Sequence, residues 1–175
     1  HGLQTNTTIT TLGLARNNIG DLGTTALAQG LHTNTSVTKL VLVGMYSRFW
    51  GNTKGKNIGP NGAKALANML TRNGSLRELE LKTNEIDDAG ASALAEGLQT
   101  NTAVTKLGLY RNNIGLNGET ALSEMLLHNG SLSELNLLRN DIGQEGAELL
   151  VSALQSSGTL YTLCGIAAEA TELDV

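Results

Sequence analysis

The residues of this chain equipped for chemistry are few, and their spacing limits what they can do. Imidazoles are carried by His1, His32 and His128, the one thiol by Cys164, and a tight group of carboxylates by Glu85, Asp87 and Asp88. A zinc site gathers thiolates and imidazoles at short spacings, and no histidine here has such a partner close in sequence. The three acids lack the ligand pattern of a calcium loop, so they are expected to be solvated or to sit at a helix N-terminus, where negative charge is favoured. Gly51, Lys54, Gly55 and Lys56 have the residue types of a phosphate-cradling loop but neither its spacing nor its closing hydroxyl. Cys164 has no histidine or cation beside it to hold a thiolate, which leaves it the role of a small apolar side chain. Nowhere do a nucleophile, a base and oxyanion donors assemble. The chain reads as no enzyme, with no cofactor and no metal.

Recognition is the chemistry that remains, and it depends on a repeat. Residues 104–115 hold the cleanest copy: Leu107 and Leu109 alternate with Lys106, Gly108 and Tyr110, so a short strand has one apolar side and one open side. Copies start at Ile9, Val37, Leu76, Val104, Leu132 and Leu160, every 28 residues except for one interval of 39. Between strands, sets such as Gly90, Ala93, Leu94, Gly97 and Leu98 fall on one face of a helix. Burying each leucine is worth about 1.5–3 kcal/mol, and a single unit has nothing to bury it against. The units must therefore stack. Strands joined by helices one period apart run parallel, which predicts an α/β solenoid with a parallel sheet on the concave side and helices on the convex side. No linker divides residues 1–175, so one domain is expected, with both ends falling inside repeats.

The L-x-x-L-x-L-x-x-N pattern and its 28-residue unit resemble the leucine-rich repeat, in its ribonuclease-inhibitor-like subclass. That subclass includes the repeat regions of NOD-like receptors, the GTPase-activating protein of Ran and several actin-regulating proteins. The resemblance implies a horseshoe that binds another protein. It also implies that Asn17, Asn84, Asn112 and Asn140 form an asparagine ladder satisfying backbone groups of adjacent turns. A second asparagine series, Asn6, Asn34, Asn73, Asn101 and Asn129, follows the helices and is expected to close them in the left-handed conformation. Four of these are also formal glycosylation sequons.

Exposed strand positions then line up as columns across the concave face. One runs Thr11, Lys39, Glu78, Lys106, Glu134 and Thr162; the next Gly13, Val41, Glu80, Gly108, Asn136 and Cys164; a third Ala15, Val43, Lys82, Tyr110 and Leu138. Arg16, Gly44, Thr83, Arg111 and Arg139 stand at the strand exits. Any solvated face carries charge, but Lys82, Tyr110, Arg111, Leu138 and Arg139 together combine the residue types that anchor protein interfaces. The long interval adds 11 residues within 43–56 and places Tyr46, Arg48, Phe49 and Trp50 there, including the only Phe and the only Trp. Two readings of these aromatics stand, a partner anchor and a cover for the groove where Met45 replaces a ladder asparagine.

A net charge of −4 speaks against binding nucleic acid through a basic face, and no apolar run is long enough for membrane insertion. A single cysteine excludes an intrachain disulfide and favours a reduced, cytoplasmic setting. The expected function is a protein-protein interaction module, scaffold or recognition domain, acting through the concave face and the 43–56 loop. The alternatives are a GTPase-activating protein of the Ran type and a purely architectural spacer.

Overall fold

The computed structural model describes residues 2–45 and 55–163, together with the backbone of 166–167. Tyr46, Arg48, Phe49 and Trp50 lie outside the described residues, as does Cys164. The helices are α1 (Gly2–Thr5), α2 (Gly20–Leu31), α3 (Pro60–Leu70), α4 (Asp87–Gln99), α5 (Leu116–His128) and α6 (Gln144–Ser156). The strands are β1 (Thr11–Gly13), β2 (Lys39–Val41), β3 (Glu78–Glu80), β4 (Lys106–Gly108), β5 (Glu134–Asn136), β6 (Thr162–Leu163) and β7 (Ile166–Ala167). They form one sheet in sequence order, parallel from β1 to β6. The α/β solenoid expected from the period is the observed fold. Only β7 reverses, pairing antiparallel with β6.

Four of the short strands, β1, β3, β4 and β5, are followed three residues on by a left-handed residue. Arg16, Thr83, Arg111 and Arg139 have φ of 60°, 59°, 55° and 62°. That region is unfavourable for a side chain with a Cβ. Three of them are held there by backbone bonds to the next rung: Arg16 N donates to Val43 O (2.7 Å), Thr83 N to Tyr110 O (2.8 Å) and Arg111 N to Leu138 O (2.9 Å). After Thr83, Arg111 and Arg139 the bend turns the next residue, Asn84, Asn112 or Asn140, inward beneath the leucines. Strand leucines such as Leu79, Leu81, Leu107 and Leu109 are at most 2% exposed, and helix leucines such as Leu66, Leu94 and Leu122 complete the same core. Where α4 crosses α3, Gly97 lies so close that a Cβ would come within 2.6 Å of Ala67 O.

The asparagines after the helices are not left-handed, contrary to the expectation: none has positive φ. They are a ladder instead. Asn73 donates to Leu31 O (2.7 Å) and Asn34 O (3.1 Å) and accepts from Ser75 N (3.1 Å) and Leu76 N (2.8 Å). Asn101 and Asn129 repeat this one and two units later. Turning inward lets a primary amide satisfy two carbonyls of the previous unit and two amides of its own, all shielded from water. Asn34, Asn73 and Asn129 are 3%, 4% and 6% exposed, so these sequons are closed to modification in the folded chain.

The strand-end asparagines form a second set of rungs. Asn84 donates to Leu42 O and Leu81 O (2.8 Å each) and accepts from Ile58 N (2.9 Å). Asn112 donates to Leu81 O (3.0 Å) and Leu109 O (3.1 Å), and Asn140 to Leu109 O (2.9 Å) and Leu137 O (2.8 Å). Asn17 is exposed and donates to Ala15 O of its own turn (3.1 Å). At the insertion, Met45 stands at the rung position and Asn57 supplies the amide, accepting from Met45 N (2.7 Å) and donating to Met45 O (3.0 Å).

Candidate partner-binding surface

Strand register brings the concave columns together as Lys39↔Glu78, Lys106↔Glu134 and their neighbours. The first column neutralises itself. Lys39 Nζ lies 2.6 Å from Glu78 and Lys106 Nζ 2.7 Å from Glu134. The Glu134 carboxylate, by hydrogen bond and charge, holds the Lys106 ammonium above its ordinary pKa. In the second column Glu80 folds along the sheet rather than outward, accepting from Lys82 N (3.0 Å) and lying over the bare backbone of Gly108. These two columns floor an open groove of about 420 Å³ reaching from Lys39 to Thr162.

Along the strand-exit edge of that groove lie the third column and the exit residues. Lys82 Nζ sits 4.6 Å from the centre of the Tyr110 ring, a cation–π contact. Leu138, one rung on, is 46% exposed. Arg139 is exposed beside it, and Arg111 is half-buried. Lys82, Tyr110, Arg111, Leu138 and Arg139 therefore form one contiguous patch over three rungs. Its positions are fixed by the register and by the left-handed exits, not by the groove floor.

The acidic turn is used in the structure. Asp88 accepts from Gly115 N (2.6 Å), capping α5 from the preceding repeat, as Asp21 caps α3 through Gly59 N (2.7 Å) and Gly62 N (2.9 Å). Asp87 accepts from Gly90 N (3.1 Å) of its own helix, and Glu85 accepts from Asn57 (3.0 Å). These bonds direct the four carboxylates to helix ends and turns.

Sequence reasoning passed over Glu119. Its equivalents one and two periods away are Ala63, Ala91 and Ala147, so the repeat itself marks it as the odd residue. It is fully buried, its carboxylate packs on Gly146, and neither oxygen has a hydrogen-bond partner among the described residues. Burial first, then the charges of Asp88 and Asp141, push its pKa from 4.5 to about 7. Among the described residues no group of three His, Cys, Asp or Glu side chains is placed to hold a metal ion. No described helix is long and apolar enough to cross a membrane.

A family model for the leucine-rich repeat matches residues 5–28, 72–95 and 128–151. Those three segments are leucine-rich repeats, and the stacked parallel fold is that of a leucine-rich-repeat solenoid. Among solved structures it is similar to the C-terminal domain of a Caenorhabditis elegans tropomodulin, at 13% identity over 88% of this chain and 87% of that one, with a TM-score of 0.65. It is also similar to Leiomodin-1 Actin-Binding Site 2, at 18% identity over 92% and 73% of the two chains, with a TM-score of 0.60. At these identities the likeness is one of fold. No curated protein matches the sequence.

Proposed function

We propose that the chain is a protein-protein interaction module, a scaffold or recognition domain whose concave face engages a partner protein along its strand-exit edge. The observation that carries this reading is the exposed patch in which Lys82 covers Tyr110 at 4.6 Å beside the 46% exposed Leu138. An aromatic next to an open aliphatic and several cations contributes apolar area and has few rotatable bonds to immobilise on binding. The 43–56 loop, with Tyr46, Arg48, Phe49 and Trp50, is included in the proposed surface on its sequence alone. The single cysteine fits an intracellular place of action, and the regular 28-residue period fits the ribonuclease-inhibitor-like subclass.

The test is affinity capture from the source cell with the native chain, with Tyr110→Ala/Leu138→Ala, and with a version lacking Met45 to Gly55. The reading predicts a protein held by the native chain and lost with the double substitution. Equal capture by all three would contradict it. The neighbour described as an actin-binding site favours one particular partner, actin, over others. Co-sedimentation with actin filaments checks that, and a chain left in the supernatant removes actin from consideration.

A further inference from the structure

We infer that the partner of this edge is acidic: an extended peptide segment with two carboxylates flanking an apolar side chain, laid across β3 to β5. The inference rests on the concave-face reading and adds the chemistry of the occupant. The third column and the exit residues together hold Arg16, Lys82, Arg111 and Arg139 and no acid, in a chain whose net charge is −4. Three nearby acids are held by the fold itself. Glu80 accepts from Lys82 N and covers Gly108, Asp87 accepts from Gly90 N, and Asp88 caps α5. Lys39 and Lys106 are paired with Glu78 and Glu134, so the groove floor selects for neither sign. Arg16 and Arg139 have no ion pair among the described residues, and Lys82 meets only the face of Tyr110.

Geometry sets the spacing of the occupant's charges. Rungs are about 4.8 Å apart, so Lys82 and Arg139, two rungs apart, bracket Tyr110 and Leu138 across about 10 Å. An extended segment covers that with three to four residues, which places acids three or four apart with an apolar side chain between them, over Tyr110 and Leu138. Arg139 offers the fork of donors that takes a carboxylate two bonds at a time, while Lys82 offers a point charge.

The experiment pans a displayed library of random peptides on the 175-residue chain at low salt, then measures the selected peptides against variants. The expected pool is enriched in Asp and Glu flanking Leu, Phe or Trp. Its affinity should fall at least about tenfold in Lys82→Glu/Arg139→Glu and stay within about twofold in Lys64→Glu, on the exposed side of α3. A pool with no acidic bias that still loses binding in Tyr110→Ala would overturn the acidic partner and leave the concave face standing. Acidic peptides indifferent to Lys82→Glu/Arg139→Glu but lost in Lys64→Glu would overturn both. A library yielding no selected peptide would overturn the inference as well.

Discussion

Glu119 shows how one residue can set the chain's response to pH. Its carboxyl keeps its proton up to about pH 7 in the fold but only to about 4.5 when unfolded. Between those values the native state binds the extra proton, so stability is greatest below the lower pKa, falls as pH rises through the window, and levels off above it. Glu119→Gln removes the titration. Urea unfolding should find that variant more stable than the native chain at pH 8, by up to about 3 kcal/mol, with the gap closing toward pH 4.5. A pH-independent gap would contradict the assignment. The ladder responds in the opposite direction. Asn101→Ala strips partners from the carbonyls of Leu70 and Asn73 and the amides of Ala103 and Val104, and should lower stability by at least about 2 kcal/mol in the same assay. At this scale the sequence is only partly readable. A repeated Asn announces a structural duty, but whether the amide turns the chain or bridges two units depends on which carbonyls the neighbouring unit presents, and the repeat alone does not say. Glu119 was visible as an exception to Ala63, Ala91 and Ala147, though nothing in its own unit shows that it is buried.

The elements were the most legible part, because alternation in the strands and the 3.6-residue period in the helices each name a buried face. Small residues recur on the helix faces, and Gly97 shows that one of them serves the approach of helix to helix, where a Cβ would meet the Ala67 backbone. Alanine there gains about 1 kcal/mol of helix propensity. Its Cβ would nevertheless press on the Ala67 backbone at 2.6 Å, and overpacking against backbone costs about 1–3 kcal/mol. Gly97→Ala should therefore lower the melting temperature, whereas Gly130→Ala, with no atom within 4 Å of its added Cβ, should leave it unchanged. Calorimetry on the pair checks this, and equal melting points would contradict it. Helix α6 departs from its expected face: Leu149 is 36% exposed while Leu150 and Ala153 are buried. Beyond it β7 runs antiparallel, and no described helix packs on its outer side.

For the whole molecule, the stacking register converts a repeated sequence into a surface. Each helix packs on the next helix and each strand pairs with the next strand, so each column on the concave face is held by its neighbours along the stack. The columns were legible before the structure because a fixed period fixes the register. What escaped was their electrostatic division: the first column closes on itself through Lys39–Glu78 and Lys106–Glu134, and Glu80 lies down along the sheet. Both depend on which rotamers meet across about 4.8 Å, a distance that appears only once strands pair. The division leaves the strand-exit edge as the basic, apolar-bearing border of the concave face. The most direct measurement puts a photo-crosslinking amino acid at Tyr110 in one variant and at Lys64, on the convex helix α3, in another, and exposes each to the captured partner. The account predicts a crosslinked product from position 110 and none from position 64. Crosslinking from position 64 alone would contradict it.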